Sequence, residues 1–492
     1  MASLGLVLGL GAAVLLVSVL AVRVSVRLGL PSLLLYLAIG LLLGESGLGI
    51  EFDDAELTQA LGIAALVLIL AEGGLTTRWA AVRPALGVGV ALATAGVAVS
   101  IGVTAAALYL LLDLSWHTAL IWGAVLASTD AAAVFSVLRG TKVGARIAGA
   151  LEIESGINDA PVYLLVVLLA AGEPFAWWTP LLIAYELAAG AAFGLLIGGA
   201  GGWLLRRSAL PATGLYPLAT VAMCVLAFAA AQQAHASGLL ATYVAGLMLG
   251  NARLPHRADT LSFAEGLGWL AQIGLFVLLG LYASPSELPG AVLPALIAGM
   301  VVVVAARPLS VLVSASPFRM PLREQGFIAW AGLRGAVPIV LALIPLTEGV
   351  EGAEMLVNAV FVLVIVLTLL QGGTLPLVAR WLRVDQPAEA SEVEVDSAAL
   401  DELDADLLQV RIPPGSRLHG VYVPELRLPP GATVSLVVRE GASFTPNSTT
   451  RLQEGDQILV VSTAADRDMA ERRIRAIHRA GRLARWLGES GR

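Results

Sequence analysis

The chain has 492 residues, 58% of them hydrophobic and only 14% charged, whereas a soluble domain carries about a quarter charged residues. Its net charge of −7 comes from acids gathered in connections and in the tail, so it carries little functional information, and no nucleic-acid partner is expected. The single cysteine, Cys224, excludes a disulfide framework and a cysteine metal cluster, and the five scattered histidines form no HExxH.

The first apolar run, near residues 4–22, has no Lys or Arg before it and is followed by Arg23 and Arg27. A secretory signal has the opposite polarity, so this run is expected to be a retained first span with its N-terminus outside. Further apolar runs, each about long enough to cross a bilayer, continue to about residue 382. Hydropathy gives about thirteen spans in all. They lie near 4–22, 29–44, 58–75, 84–112, 117–138, 146–171, 178–205, 214–232, 237–250, 261–283, 289–313, 323–346 and 353–382.

Charge supports this parity. Arg78/Arg83, Arg139/Lys142/Arg146, Arg206/Arg207, Arg253/Arg257, Arg319/Arg323 and Arg380/Arg383 follow odd-numbered spans. Acids such as Glu45, Asp53, Asp54, Asp113, Glu173, Glu287, Glu348 and Glu351 follow even-numbered ones. The positive-inside rule then puts odd exits and the C-terminus in the cytoplasm of an inner (plasma) membrane protein.

Within the spans, charge is expensive and defaults to function. Glu72 stands near the inner end of span 3 in "LILAEGGL", where a snorkelled interfacial acid is the bland alternative. Span 5 carries Thr129-Asp130 about 18–20 Å deep, span 6 carries Asp159 about 20 Å deep, and span 12 carries Arg334 about 16 Å deep, at 1.5 Å per residue. In a hydrocarbon core of about 30 Å, all three fall near the midplane.

Helical spacing sorts span 6. Glu154 and Asn158 share one face, and Ser155 and Asp159 share the next, so one pair is available for structure while the other lines a cavity. Glu152 lies on nearly the Asp159 face, two turns closer to the cytoplasm, and marks an approach route for ions. Arg334 is expected as the countercharge of Glu154. Gly332, Gly335 and Pro338 interrupt span 12 around it, and Ser-Thr-Asp interrupts span 5. Two unwound spans that cross would expose carbonyls and helix termini to an ion, with Asp130 balancing helix N-terminal dipoles.

After Arg383 the stretch "DQPAEASEVEVDSAALDELDAD", residues 385–406, reads as an acidic linker. "LLQVRIPPGSRLHG", "ATVSLVVREG" and "DQILVVST" read as short strands, and a terminal helix follows that ends in a basic tail over 476–492. The expected fold is therefore an all-α polytopic membrane unit over 1–384 with unwound crossing helices, joined to a small cytosolic α+β domain.

"EIESGINDAP", "ASTDAAAVFSVL", "LAEGGL" and "AWAGLRGAVPIVLA" together resemble the electroneutral NhaP-type branch of the monovalent cation:proton antiporters, over about residues 1–385. "STDAAAVFS", "EIESG" and "WLAQIGLFVLLGL" are most similar to its bacterial potassium/proton subgroup. The resemblance implies inverted repeats and a thirteen-span homodimer, with a dimerisation part and a six-helix ion-carrying core. It implies a monovalent cation held by Asp159, Ser155 and the backbone at Thr129, with Glu72 acting through water. Glu154, Asn158 and Arg334 match the supporting network.

The tail from about Leu407 to Arg473 resembles a TrkA-C domain, the C-terminal half of potassium-conductance regulators, through "IPPGSRLHGVYVPELRL", "VSLVVREG" and "LQEGDQILVVS". Such domains dimerise and some bind nucleotides; the GxGxxG of a companion nucleotide-binding half is absent from this chain.

The expected activity is electroneutral 1:1 exchange of cytoplasmic K+ for protons by alternating access, in a secondary transporter without a cofactor. A buried acid that holds a proton or a bare cation, not both, couples the two ions. Sodium as the cation is the alternative within the same fold. A ligand-gated potassium efflux channel is the more distant rival, against which stands the missing TVGYG-type filter. An intramembrane aspartyl protease built on Asp130 and Asp159 lacks a GxGD-like motif.

Overall fold

The computed structural model describes residues 4–28, 31–45, 47–50, 52–130, 143–172, 177–384, 394–400, 405–463 and 466–480. The chain divides into two compact units, Met1–Asp385 and Gln386–Arg492.

The first unit is helical. Its elements are α1 (Leu4–Leu28), α2 (Ser32–Leu43), α3 (Ala55–Thr76), α4 (Trp79–Leu111), α5 (Trp116–Val125), α6 (Ala145–Ala170), α7 (Thr179–Arg207), α8 (Leu215–Gln233), α9 (Gly238–Gly250), α10 (Arg257–Tyr282), α11 (Leu288–Phe318), α12 (Leu322–Trp330), α13 (Ala336–Thr347) and α14 (Ala353–Trp381). Eight of them, α3, α4, α6, α7, α8, α10, α11 and α14, are long and apolar enough to cross a membrane, and shorter apolar stretches lie in α1, α2, α9 and α13.

Starts are set by local side chains. Asp54 caps α3 by accepting from the Leu57 N–H at 2.8 Å, and Ser115 caps α5 by accepting from Thr118 at 3.1 Å. The glycine-rich "GLLIGGAGGWLL" run of α7 serves close packing: a methyl group at Gly194 would come within 2.6 Å of the Ala241 carbonyl on α9.

One order of events occurs twice. α4 contains a π-helical turn at Leu92–Gly96, and the next helix, α5, stops early and gives way to non-helical backbone over 128–130. α11 contains a π-helical turn at Val302–Ala306, and the next helix, α12, stops at Trp330 before non-helical backbone over 332–335. π-turns recur at functional sites because they shift the ladder by one residue and free a backbone group. The remaining residues of "ASTDAAAVFSVL" and the basic Arg139 and Lys142 lie outside the described residues.

The second unit is a five-stranded antiparallel sheet in the order β1-β2-β5-β3-β4, with α15 (Arg467–Ala480) following β5. The strands are β1 (Glu394–Leu400), β2 (Ala405–Arg411), β3 (Ala432–Arg439), β4 (Ala442–Phe444) and β5 (Gln457–Thr463). Leu408 pairs with Val460 and Val410 with Ile458, all four buried, against Ile474 and Ile477 of α15. One expectation is corrected here. The stretch read as an acidic linker contains β1, which pairs with β2 from Glu394↔Arg411 to Leu400↔Ala405. β1 itself holds no Gly or Pro, and pairing satisfies the backbone groups of the β2 edge, which its acids do not prevent.

Candidate ion-binding site

Two broken helices cross. Past α5, the Asp130 N–H donates to the Leu333 carbonyl at 2.9 Å, a bond between two stretches of irregular backbone. Such backbone is tolerated at membrane depth only where protein or a cavity satisfies it. The Asp130 carboxylate lies against Gly335, so closely that any Cβ there would overlap it. That places it at the first turn of α13, where free N–H groups carry partial positive charge. Pro338, the third residue of α13, falls where a missing N–H costs no helical bond.

Arg334 answers from the other side. Its Nε and Nη2 each donate to the Leu126 carbonyl at 3.3 Å, at the C-terminal end of α5, and its Nη1 donates to Gly332. Thr368 of α14 donates to the Arg334 carbonyl at 3.2 Å. Thus a carboxylate meets a helix N-terminus and a guanidinium meets a helix C-terminus at one crossing.

α6 supplies the rest. Ser155 Oγ donates to the Thr129 carbonyl at 2.9 Å, and Asn158 Nδ2 donates to Thr129 Oγ1 at 2.7 Å. Asp159 is 4% exposed, and its Oδ1 has no hydrogen-bond partner among the described residues. The expected pairing of Glu154 with Arg334 needs correction. Glu154 is clasped through both oxygens by Arg307 of α11, with Nη2 to Oε2 at 2.8 Å and Nη1 to Oε1. Arg334 is taken up by the carbonyls that the helix breaks leave open, while Arg307 reaches Glu154 from α11 and also donates to the Ile328 carbonyl at 3.3 Å. Gly332 leaves room for it, since a Cβ there would sit 2.5 Å from Arg307 Nε. The sequence did carry a signal for Arg307, a basic residue inside an apolar run and ahead of Pro308.

A cavity of about 450 Å³ reaches this crossing. It brings together Asp159, Ser155, Thr129, Asp130, Glu72 and Glu152. Glu154, Asn158 and Arg334 do not line it and stand behind its wall. Glu72 rests against Gly268 of α10, and Glu152 accepts a 2.6 Å bond from Thr77 Oγ1. Thr77, Tyr243 and Glu265 also line it, and none of the three was expected as a site residue. The donor set facing the cavity is all oxygen, which suits a hard cation.

The family model for the sodium/hydrogen exchanger, transmembrane, matches residues 12–381. The chain belongs to the sodium/hydrogen exchanger family. The TrkA-C domain model matches residues 407–475 of this exchanger. A "K(+)/H(+) antiporter NhaP" of Alkalimonas amylolytica is 38% identical over 461 residues, covering 92% of this chain and 80% of that protein. A "K(+)/H(+) antiporter NhaP2" of Shewanella sp. strain MR-4 is 37% identical over the same shares. Among solved structures, the sodium proton antiporter MjNhaP1 from Methanocaldococcus jannaschii at pH 8 is similar with a TM-score of 0.68 and 23% identity. It covers 78% of this chain and 100% of that one. The exchanger therefore has the fold of that antiporter.

Proposed function

We propose that this exchanger moves one monovalent cation, K+ in preference to Na+, out of the cytoplasm for each proton that enters, without net charge transfer. The observation that carries the reading is Asp159: buried, lining the cavity, and with Oδ1 lacking a hydrogen-bond partner among the described residues. A buried carboxylate must be neutralised, and either a proton or a bare cation does so. Ser155 and the Thr129 backbone complete the oxygen set, and Glu72 joins through water. Asn158, Glu154, Arg307, Arg334 and Asp130 hold the crossing in shape. Because Asp159 takes one charge at a time, return of the carrier with a proton balances export of one cation.

The K+ preference is supported by the relatives named K+/H+ antiporters and by the TrkA-C tail. The tail acts as a regulatory domain, with a nucleotide as its candidate ligand. The protein works as a multi-pass homodimer in the cell's inner (plasma) membrane. It crosses thirteen times, with its N-terminus outside and its C-terminus in the cytoplasm. The test is dequenching of a pH dye in proteoliposomes, titrated separately with K+, Na+ and Li+. The expected result is K+-driven dequenching that an imposed voltage does not alter; a voltage-dependent transport current would overturn the 1:1 exchange.

A further inference from the structure

The polar face of α6 continues beyond the exchange site. Glu152, Ser155, Gly156 and Asp159 follow at helical spacing and all line the cavity. Glu152 stands about 10 Å from the level of Asp159, at 1.5 Å rise per residue. At that end the carboxylate accepts from Thr77 Oγ1 at 2.6 Å. Thr77 is itself fixed, because its carbonyl accepts from Asn251 Nδ2 at 2.9 Å and Asn251 Oδ1 accepts from the Trp79 N–H at 2.9 Å.

Tyr243 of α9 fills the middle of the face. Its ring packs on Gly156 so closely that a Cβ there would collide with it. Tyr243 is 4% exposed and lines the same cavity as Thr77 and Glu152. Its hydroxyl has no hydrogen-bond partner among the described residues. Burying a hydroxyl with nothing to bind is unfavourable and calls for an explanation. A carboxylate and two hydroxyls, all oxygen, with a single formal negative charge, match an alkali cation that keeps part of its water.

We propose that Glu152, Thr77 and Tyr243 form a staging subsite for a partly hydrated monovalent cation, which then passes along α6 to Asp159. The subsite rests on the reading of Asp159 as the exchange site. Glu265, exposed at the cavity, and Glu72 raise the local cation concentration there.

The test uses the full-length chain and thallium(I) as the probe. Anomalous difference maps of thallium-soaked crystals are expected to show two peaks, at Asp159 and at Glu152. Asp159→Asn keeps only the second, and Glu152→Gln keeps only the first. In proteoliposomes, Glu152→Gln and the conservative Tyr243→Phe raise the apparent cation KM about 3- to 10-fold while the rate at saturating cation stays within about twofold. A role limited to holding the helices together would move stability and leave KM alone. One thallium peak in the unsubstituted protein, or an unchanged KM in both variants, overturns the subsite. A peak at Glu152 combined with exchange that survives Asp159→Asn keeps the subsite and removes the exchange site instead.

Discussion

Arg307 grips both carboxylate oxygens of Glu154, and the two side chains are 4% and 1% exposed. The pair joins α11 to α6 directly behind the Ser155–Asp159 face. Its burial decides what its loss does.

Removing one partner leaves a buried, uncompensated charge, which costs about 3–5 kcal/mol. Arg307→Ala is therefore expected to lower the unfolding temperature of the detergent-solubilised protein sharply. Arg307→Lys is expected to rescue little, because an ammonium cannot reproduce the two-pronged contact. Arg307→Met combined with Glu154→Gln should recover much of the loss, since neither charge then remains buried. Additive losses in the double variant would show that the two side chains act independently.

A methyl group at Gly335 would meet the Asp130 carboxylate. Overpacking of this kind costs about 1–3 kcal/mol. Gly335→Ala should displace Asp130 from the first turn of α13 and abolish exchange while circular dichroism retains the helix content. Normal exchange in this variant would show that the crossing tolerates a shift.

Ser155 Oγ tethers the Thr129 carbonyl as well as facing the cavity. Ser155→Ala removes one hydrogen bond and one proposed cation ligand. A net loss of about 1–1.5 kcal/mol translates to roughly a tenfold rise in apparent cation KM. The proton-dye assay at graded K+ measures it, and an unchanged KM would remove Ser155 from the site.

In the second unit, Asp456 is fully buried and accepts from Arg439 Nε at 2.8 Å, Arg439 Nη2 at 2.7 Å and the Gln453 N–H at 2.8 Å. Hydrogen bonds to a charged group are worth about 1.5–3 kcal/mol. Asp456→Asn should speed hydrogen exchange in β3 and β5 of the full chain. Unchanged protection there would show that the sheet core alone holds the domain.

Hydropathy and the alternation of charge made the membrane unit legible, because the bilayer penalises every misplaced polar group. Spacing on α6 separated Glu154 from Asp159, and the Gly and Pro around Arg334 pointed to a broken helix. Arg307 stands inside an apolar run, but its pairing with Glu154 depends on how α11 packs on α6, which no periodicity encodes. Tyr243 and Thr77 carry no charge, and their meeting with Glu152 depends on how α3, α6 and α9 pack, which no periodicity encodes. β1 was obscured by its acids, although the pairing that forms it comes from the backbone.

The most direct measurement compares the unsubstituted exchanger with Asp159→Asn, both verified as folded by size-exclusion chromatography, in proteoliposomes loaded with a pH dye. Added K+ should drive proton movement in the first and none in the second at any pH. K+-driven proton movement through Asp159→Asn would contradict the assignment of one carboxylate to both ions.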